Sequence, residues 1–134
     1  MSQVLPPQAA EGLRQASLWM QSGEAEKAAL LLDQLLQHFG RHAEVHYAHG
    51  VAASARGDSA TALQSLQQAL KLDRGNPWVH FQLGTLLDAA DRPAEAAPRY
   101  RDALRLQPVF PEAHYNLGLA LQRTGDADGA IRAY

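Results

Sequence analysis

The chain of 134 residues is 46% hydrophobic and 19% charged, the balance of a soluble globular domain rather than of a disordered or collagen-like chain. Its 25 alanines and 20 leucines outnumber five valines, one isoleucine and three threonines, so helix formers dominate and sheet formers are scarce. A formal net charge of −2, with Lys27 and Lys71 the only lysines, gives no surplus positive field to hold nucleic acid or an anionic membrane surface. Without cysteine there is no disulfide framework, thiolate metal site or thiol nucleophile. The first eight residues show no basic segment followed by an apolar run, and no stretch approaches the roughly 18 apolar residues of a membrane span. A cytoplasmic protein is expected, with neither nucleic acid nor membrane as partner.

The chain repeats itself. Ala43-Glu-Val-His-Tyr-Ala-His-Gly50, Pro77-Trp-Val-His-Phe-Gln-Leu-Gly84 and Pro111-Glu-Ala-His-Tyr-Asn-Leu-Gly118 follow one another at an offset of 34, a period that marks a repeat architecture. In chain order, residues 1–8 form a proline-containing tail. Residues 9–42 are a degenerate first repeat, with Ala16 in the glycine column and a turn at Gly23-Glu24. Residues 43–76 carry Gly50, a turn at Gly57-Asp58 and a second helix through Ala60–Leu70. In residues 77–110, His80, Leu83, Gly84 and Leu87 fall at i, i+3, i+4 and i+7, one stripe of a helix. The turn there reads Asp91-Arg92-Pro93, which predicts Asp91 as N-cap with Pro93 in the first turn, and Pro98 predicts a kink in the second helix. Residues 111–134 carry Gly118 and Gly125-Asp126 but only 24 of the 34 positions, an incomplete repeat.

A glycine that ends one helix before an acidic start of the next makes each repeat a hairpin. Small residues in register, Gly50 with Ala62, Gly84 with Ala96 and Gly118 with Ala130, let the two helices approach. The expected fold is all-α, an α-solenoid of stacked antiparallel helix hairpins in which each repeat packs on its neighbours.

At these residues the unit resembles the tetratricopeptide repeat, whose pattern has Leu-Gly, a nearby aromatic, a later Ala with an aromatic four residues on, and a late proline. Leu83-Gly84 and Leu117-Gly118 carry the dipeptide, Ala62, Ala96 and Ala130 the alanine, Tyr100 and Tyr134 the second aromatic, and Pro108 the late proline. Gly12, His46, His80 and His114 stand where the family has Trp. The resemblance implies a right-handed superhelix over residues 9–134 (repeats 9–42, 43–76, 77–110 and 111–134) with a concave groove lined by the first helix of each hairpin. It also implies a non-enzymatic scaffold that binds a peptide or protein segment in that groove. The alternative it offers is the N-terminal substrate-recognition arm of a longer bacterial-type enzyme: a glycosyltransferase of the O-GlcNAc transferase kind, a sulfotransferase or an oxygenase.

Trp78, Phe81, Thr85 and Asp88 point well away from the packing stripe of their helix at about 100° per residue. Carried over by column, the resemblance places Leu13, Tyr47, Phe81 and Tyr115 in the groove as an aromatic-rich ladder. Val51, Thr85 and Leu119 lie one turn on, with Trp78 at the near edge and Asp88 at the far one. Glu44, Asp88 and Glu112 favour a partner with some positive charge. Both lysines lie on second helices, which disfavours the chaperone-binding kind of array, and Asn116 alone matches the asparagine ladder of the O-GlcNAc transferase kind.

His38, His42, His46 and His49 fall about one helical turn apart, a spacing at which imidazoles share a metal. This is the minor alternative, because no carboxylate or cysteine completes a ligand set and His46, His80 and His114 form one column of the repeat. No nucleophile elbow, phosphate-binding glycine loop or His-Glu-x-x-His is present, so no catalytic residue, cofactor or metal is expected. Leu117, Leu121 and Ile131 in the incomplete repeat are expected to lack cover and to favour end-to-end self-association.

Overall fold

Each turn expected at a glycine is a left-handed turn in the computed structural model, which describes residues 4–125. Gly23, Gly57 and Gly125 take φ of +80°, +79° and +86°, a region glycine enters without steric cost. The backbone N–H of the following Glu24 or Asp58 returns to the carbonyl of Trp19 or Ala53, at 2.7 and 2.9 Å, and so satisfies a carbonyl that the ending helix leaves open. Asp91 stands in the same column and does the same, with φ +60° and an Arg92 N–H to Leu87 carbonyl bond of 2.9 Å. Asp91 therefore ends one helix rather than capping the next, where the N-cap residue is Arg92. The register overrides capping preference here because Asp is among the few side chains that tolerate the left-handed region.

Seven helices follow among the described residues: α1 Pro7–Gln21, α2 Ala25–Phe39, α3 Ala43–Ala55, α4 Ser59–Leu72, α5 Pro77–Ala89, α6 Pro93–Leu106 and α7 Pro111–Arg123. Prolines open α1, α5, α6 and α7, since their fixed φ suits a first turn whose N–H has no partner. For the same reason α1 starts inside the expected tail. α6 runs as one helix across Pro98, which is exposed.

The chain falls into two compact units, residues 1–74 and 75–134. In the first, α2 packs on α1 and α3, and α3 on α4, around Ala16, Leu32, Leu35, Val45 and Ala52. In the second, α6 packs on α5 and α7 around Ala96, Tyr100, Leu117 and Ala120. The glycine column works as expected. A Cβ on Gly50 would lie 2.9 Å from Leu66, and one on Gly84 only 2.6 Å from the Tyr100 ring, so the backbone itself forms the floor on which these fully buried side chains rest. Burying each contributes about 1.5–3 kcal/mol.

Leu117 and Leu121 are buried in one cluster with Ala96, Ala97 and Tyr100. Asp126, Ala130, Ile131 and Tyr134 lie outside the described residues.

Candidate functional site

The side chain of Asn76 accepts the backbone N–H of Trp78 at 2.9 Å and thereby fixes the first turn of α5. The indole it sets in place is 40% exposed and rests on Phe110, with ring centroids 4.5 Å apart. Phe81 completes the group at 5.1 Å from Phe110, 5.8 Å from Trp78 and 5.9 Å from Tyr100, in the tilted and edge-on arrangements aromatic quadrupoles prefer. Phe81 is therefore half-buried, the base of an aromatic platform whose exposed end is Trp78. Nothing in the sequence signals Phe110. It occupies the N-cap position before α7, where Asn76 and His42 stand before α5 and α3, yet it is 1% exposed. On α7, Tyr115 and Leu119 are 58% and 37% exposed, one turn apart.

The other expected lining residues are held within their own units. Thr85 Oγ1 donates to the Gln82 carbonyl at 2.8 Å. The Tyr100 hydroxyl donates to Asp88 Oδ2 at 2.5 Å, and Arg123 donates to Asp88 Oδ1 at 3.1 Å and to Asp91 Oδ1 at 2.5 Å. The Asn116 side chain lies beside the same Tyr100 hydroxyl. This network ties α5, α6 and α7 together, so Asp88 and Asn116 already serve the fold. Burial, with the Asp88 carboxylate beside it, holds the Tyr100 phenol far above the usual tyrosine range. In the first unit Leu13 packs against the core, while Tyr47 and Val51 are half-buried, one turn apart on α3.

Two members of the histidine column share a structural task. Nε2 of His46 meets the Gly40 carbonyl at 2.8 Å and Nε2 of His114 meets the Pro108 carbonyl at 3.0 Å. A carbonyl only accepts, so each ring carries a proton on Nε2 and donates it to the loop that precedes its helix. His49 differs, with Nε2 2.8 Å from Asp33 Oδ1 and Nδ1 2.7 Å from Ser65 Oγ. A carboxylate thus does reach the histidine run, from α2 and 16 residues away. No group of three His, Cys, Asp or Glu able to hold a metal occurs among the described residues, and no helix among them is long and apolar enough to cross a membrane.

Two family profiles, both described as tetratricopeptide repeat, match the chain, one over residues 53–97 and the other over residues 81–134. No curated protein matches it. Among solved structures it is similar to MamA, at 23% identity and a TM-score of 0.86 over 93% of this chain and 73% of that one. A MamA RS-1 ArsTM double mutant gives 22% identity and a TM-score of 0.84 over 97% of this chain and 73% of its own. YrrB, described as a TPR protein with an unusual peptide-binding site, gives 25% identity and a TM-score of 0.80 over 93% of this chain and 64% of its own.

Proposed function

The chain belongs to the tetratricopeptide-repeat family, and from that premise we propose that it is a non-enzymatic scaffold for protein interactions, holding a peptide or protein segment on the outward face of its first helices. The observation that carries this reading is the exposure of Trp78 on α5 and of Tyr115 and Leu119 on α7, helices whose other faces bury Leu83, Gly84, Leu117 and Gly118. Large apolar side chains left open on one face gain from any partner that covers them. Trp78 is already oriented by Phe110, so docking against it costs little additional ordering. Tyr47 and Val51 offer the corresponding column in the first unit, and the exposed Glu112 favours a basic residue at the margin. The peptide-binding site described for YrrB, a protein of similar fold, supports a polypeptide as the ligand class.

A photo-crosslinking residue, p-benzoylphenylalanine, placed at Tyr115 or at the exposed Gln64 of α4 tests the reading in a cell extract. Polypeptide adducts are expected from position 115 and not from position 64. Equal yields at the two positions, or none at 115, contradict it.

A further inference from the structure

Where α2, α3 and α4 meet, small side chains leave a cleft of about 210 Å³. Its floor is alanine, from Ala29, Ala52 and Ala53, and its rim carries Asp33, His49, Arg56 and Asp58. The volume falls below the roughly 300–1,000 Å³ typical of pockets for whole small molecules, and it suits a single side chain. His49 is the departure from the repeat that opens it. The same column holds Leu83 and Leu117, both buried, whereas His49 is held at the cleft wall between Asp33 Oδ1 and Ser65 Oγ.

The rim carries both signs, with the carboxylates of Asp33 and Asp58 beside the Arg56 guanidinium and the His49 imidazole. Arg56 is its only guanidinium, and its Nε already donates to Glu26 Oε1 at 3.0 Å. Asp33 and Asp58 remain at the rim. Asp58 accepts the Thr61 backbone N–H at 3.2 Å, and this bond with the Thr61 side chain and backbone holds its carboxyl below the usual carboxylate range, so it is ionised at neutral pH. Asp33 is 60% exposed and gives His49 one bond through Oδ1. Each carboxylate oxygen has two lone pairs, so the group can accept a second, forked donor.

We propose that this cleft takes an arginine side chain from a protein partner, with the alkyl stem over the alanine floor and the guanidinium on Asp33. A planar guanidinium presents parallel N–H donors matched to a carboxylate and is more weakly hydrated than an ammonium, so it gives up less on entering a confined site. Asp58 adds a negative field that favours a cation over a neutral side chain, and the forked fit to Asp33 selects the guanidinium. The site is separate from the first-helix face, since Tyr47 and His49 lie two residues apart on α3 and hence about 200° around it.

Titration of the full chain with N-acetyl-arginine amide, followed by the backbone amide resonances of Ala29, Ala52 and Ala53, tests the proposal. Saturable shifts are expected, and N-acetyl-norleucine amide should leave the same resonances in place. Asp33→Asn keeps an acceptor for His49, and Asp58→Asn keeps a cap for α4. Each should weaken binding at least about fivefold, an affinity loss of about 1 kcal/mol, with the helical circular dichroism unchanged. Tyr47→Ala should leave the affinity as it was, which separates this site from the first-helix face. Norleucine shifts equal to those of arginine, or an Asp33→Asn affinity equal to the unmodified chain's, overturn the site. N-acetyl-lysine amide binding as tightly as the arginine compound overturns the assignment to a guanidinium.

Discussion

Replacing Gly84 by alanine adds one methyl group at the point where the second unit has least room for it. The new Cβ would lie 2.6 Å from Tyr100 Cε1, 2.8 Å from Cδ1 and 2.9 Å from Cζ, whereas carbon contacts are optimal at about 3.5–4.0 Å. The ring would have to retreat by about 1 Å. It has nowhere to go, being 0% exposed, tied through its hydroxyl to Asp88 at 2.5 Å and set against Phe81 with centroids 5.9 Å apart. In an open helix the same substitution stabilises by about 0.5–1 kcal/mol, while overpacking a core costs about 1–3 kcal/mol. The second effect wins here, for a net loss of about 1–2 kcal/mol, read as a lower urea midpoint and a Tm lower by about 3–8 °C. The cause can be isolated with a double-mutant cycle: in a Tyr100→Val background the added methyl meets no ring, and Gly84→Ala should become neutral or stabilising. A Gly84→Ala chain at least as stable as the unmodified one would refute the argument that glycine is the floor for Tyr100.

Gly57→Ala should destabilise by about 1 kcal/mol for a different reason. Nothing lies within 4 Å of its added Cβ, but its φ is +79°, so the cost is one of backbone conformation, and Gly57→Asn should recover part of it in the same urea titration. Tyr100 gives the fold an alkaline limit. Its folded-state pKa is raised, first by burial and then by Asp88, so its contribution is complete below the unfolded tyrosine value of about 10 and falls away as the pH rises beyond it. Tyr100→Phe should flatten that alkaline loss when unfolding midpoints are compared between neutral and alkaline pH.

Much of this fold is legible in the sequence because the repeat supplies the register. The glycine column places the left-handed turns at Gly23, Gly57 and Gly125, and Asp91 follows the same column despite its preference for capping. What the sequence hides are the pairings that break the columns. Phe110 sits in a capping position and is buried by the rings of Trp78 and Phe81 from α5 and by Ala103 of α6. Asp33 meets His49 across 16 residues and Arg123 meets Asp88 across 35, and no periodicity announces either contact. The expected ladder divides along the same line. Trp78, Tyr115 and Leu119 are exposed, while Phe81 and Asp88 are engaged by partners visible only once the helices are packed.

If the open aromatic face of α5 and α7 binds polypeptide while the opposite face holds the fold, binding and folding separate under mutation. The decisive measurement is the affinity of a peptide selected from a displayed random library, compared between the unmodified chain and Trp78→Ala/Tyr115→Ala. Two anchors of this kind contribute a few kcal/mol together, so binding at least about a hundredfold weaker, or about 2.7 kcal/mol, is expected with helical circular dichroism unchanged. Equal affinity in the two chains would contradict it, and so would loss of helical signal in the variant, because these rings would then belong to the core.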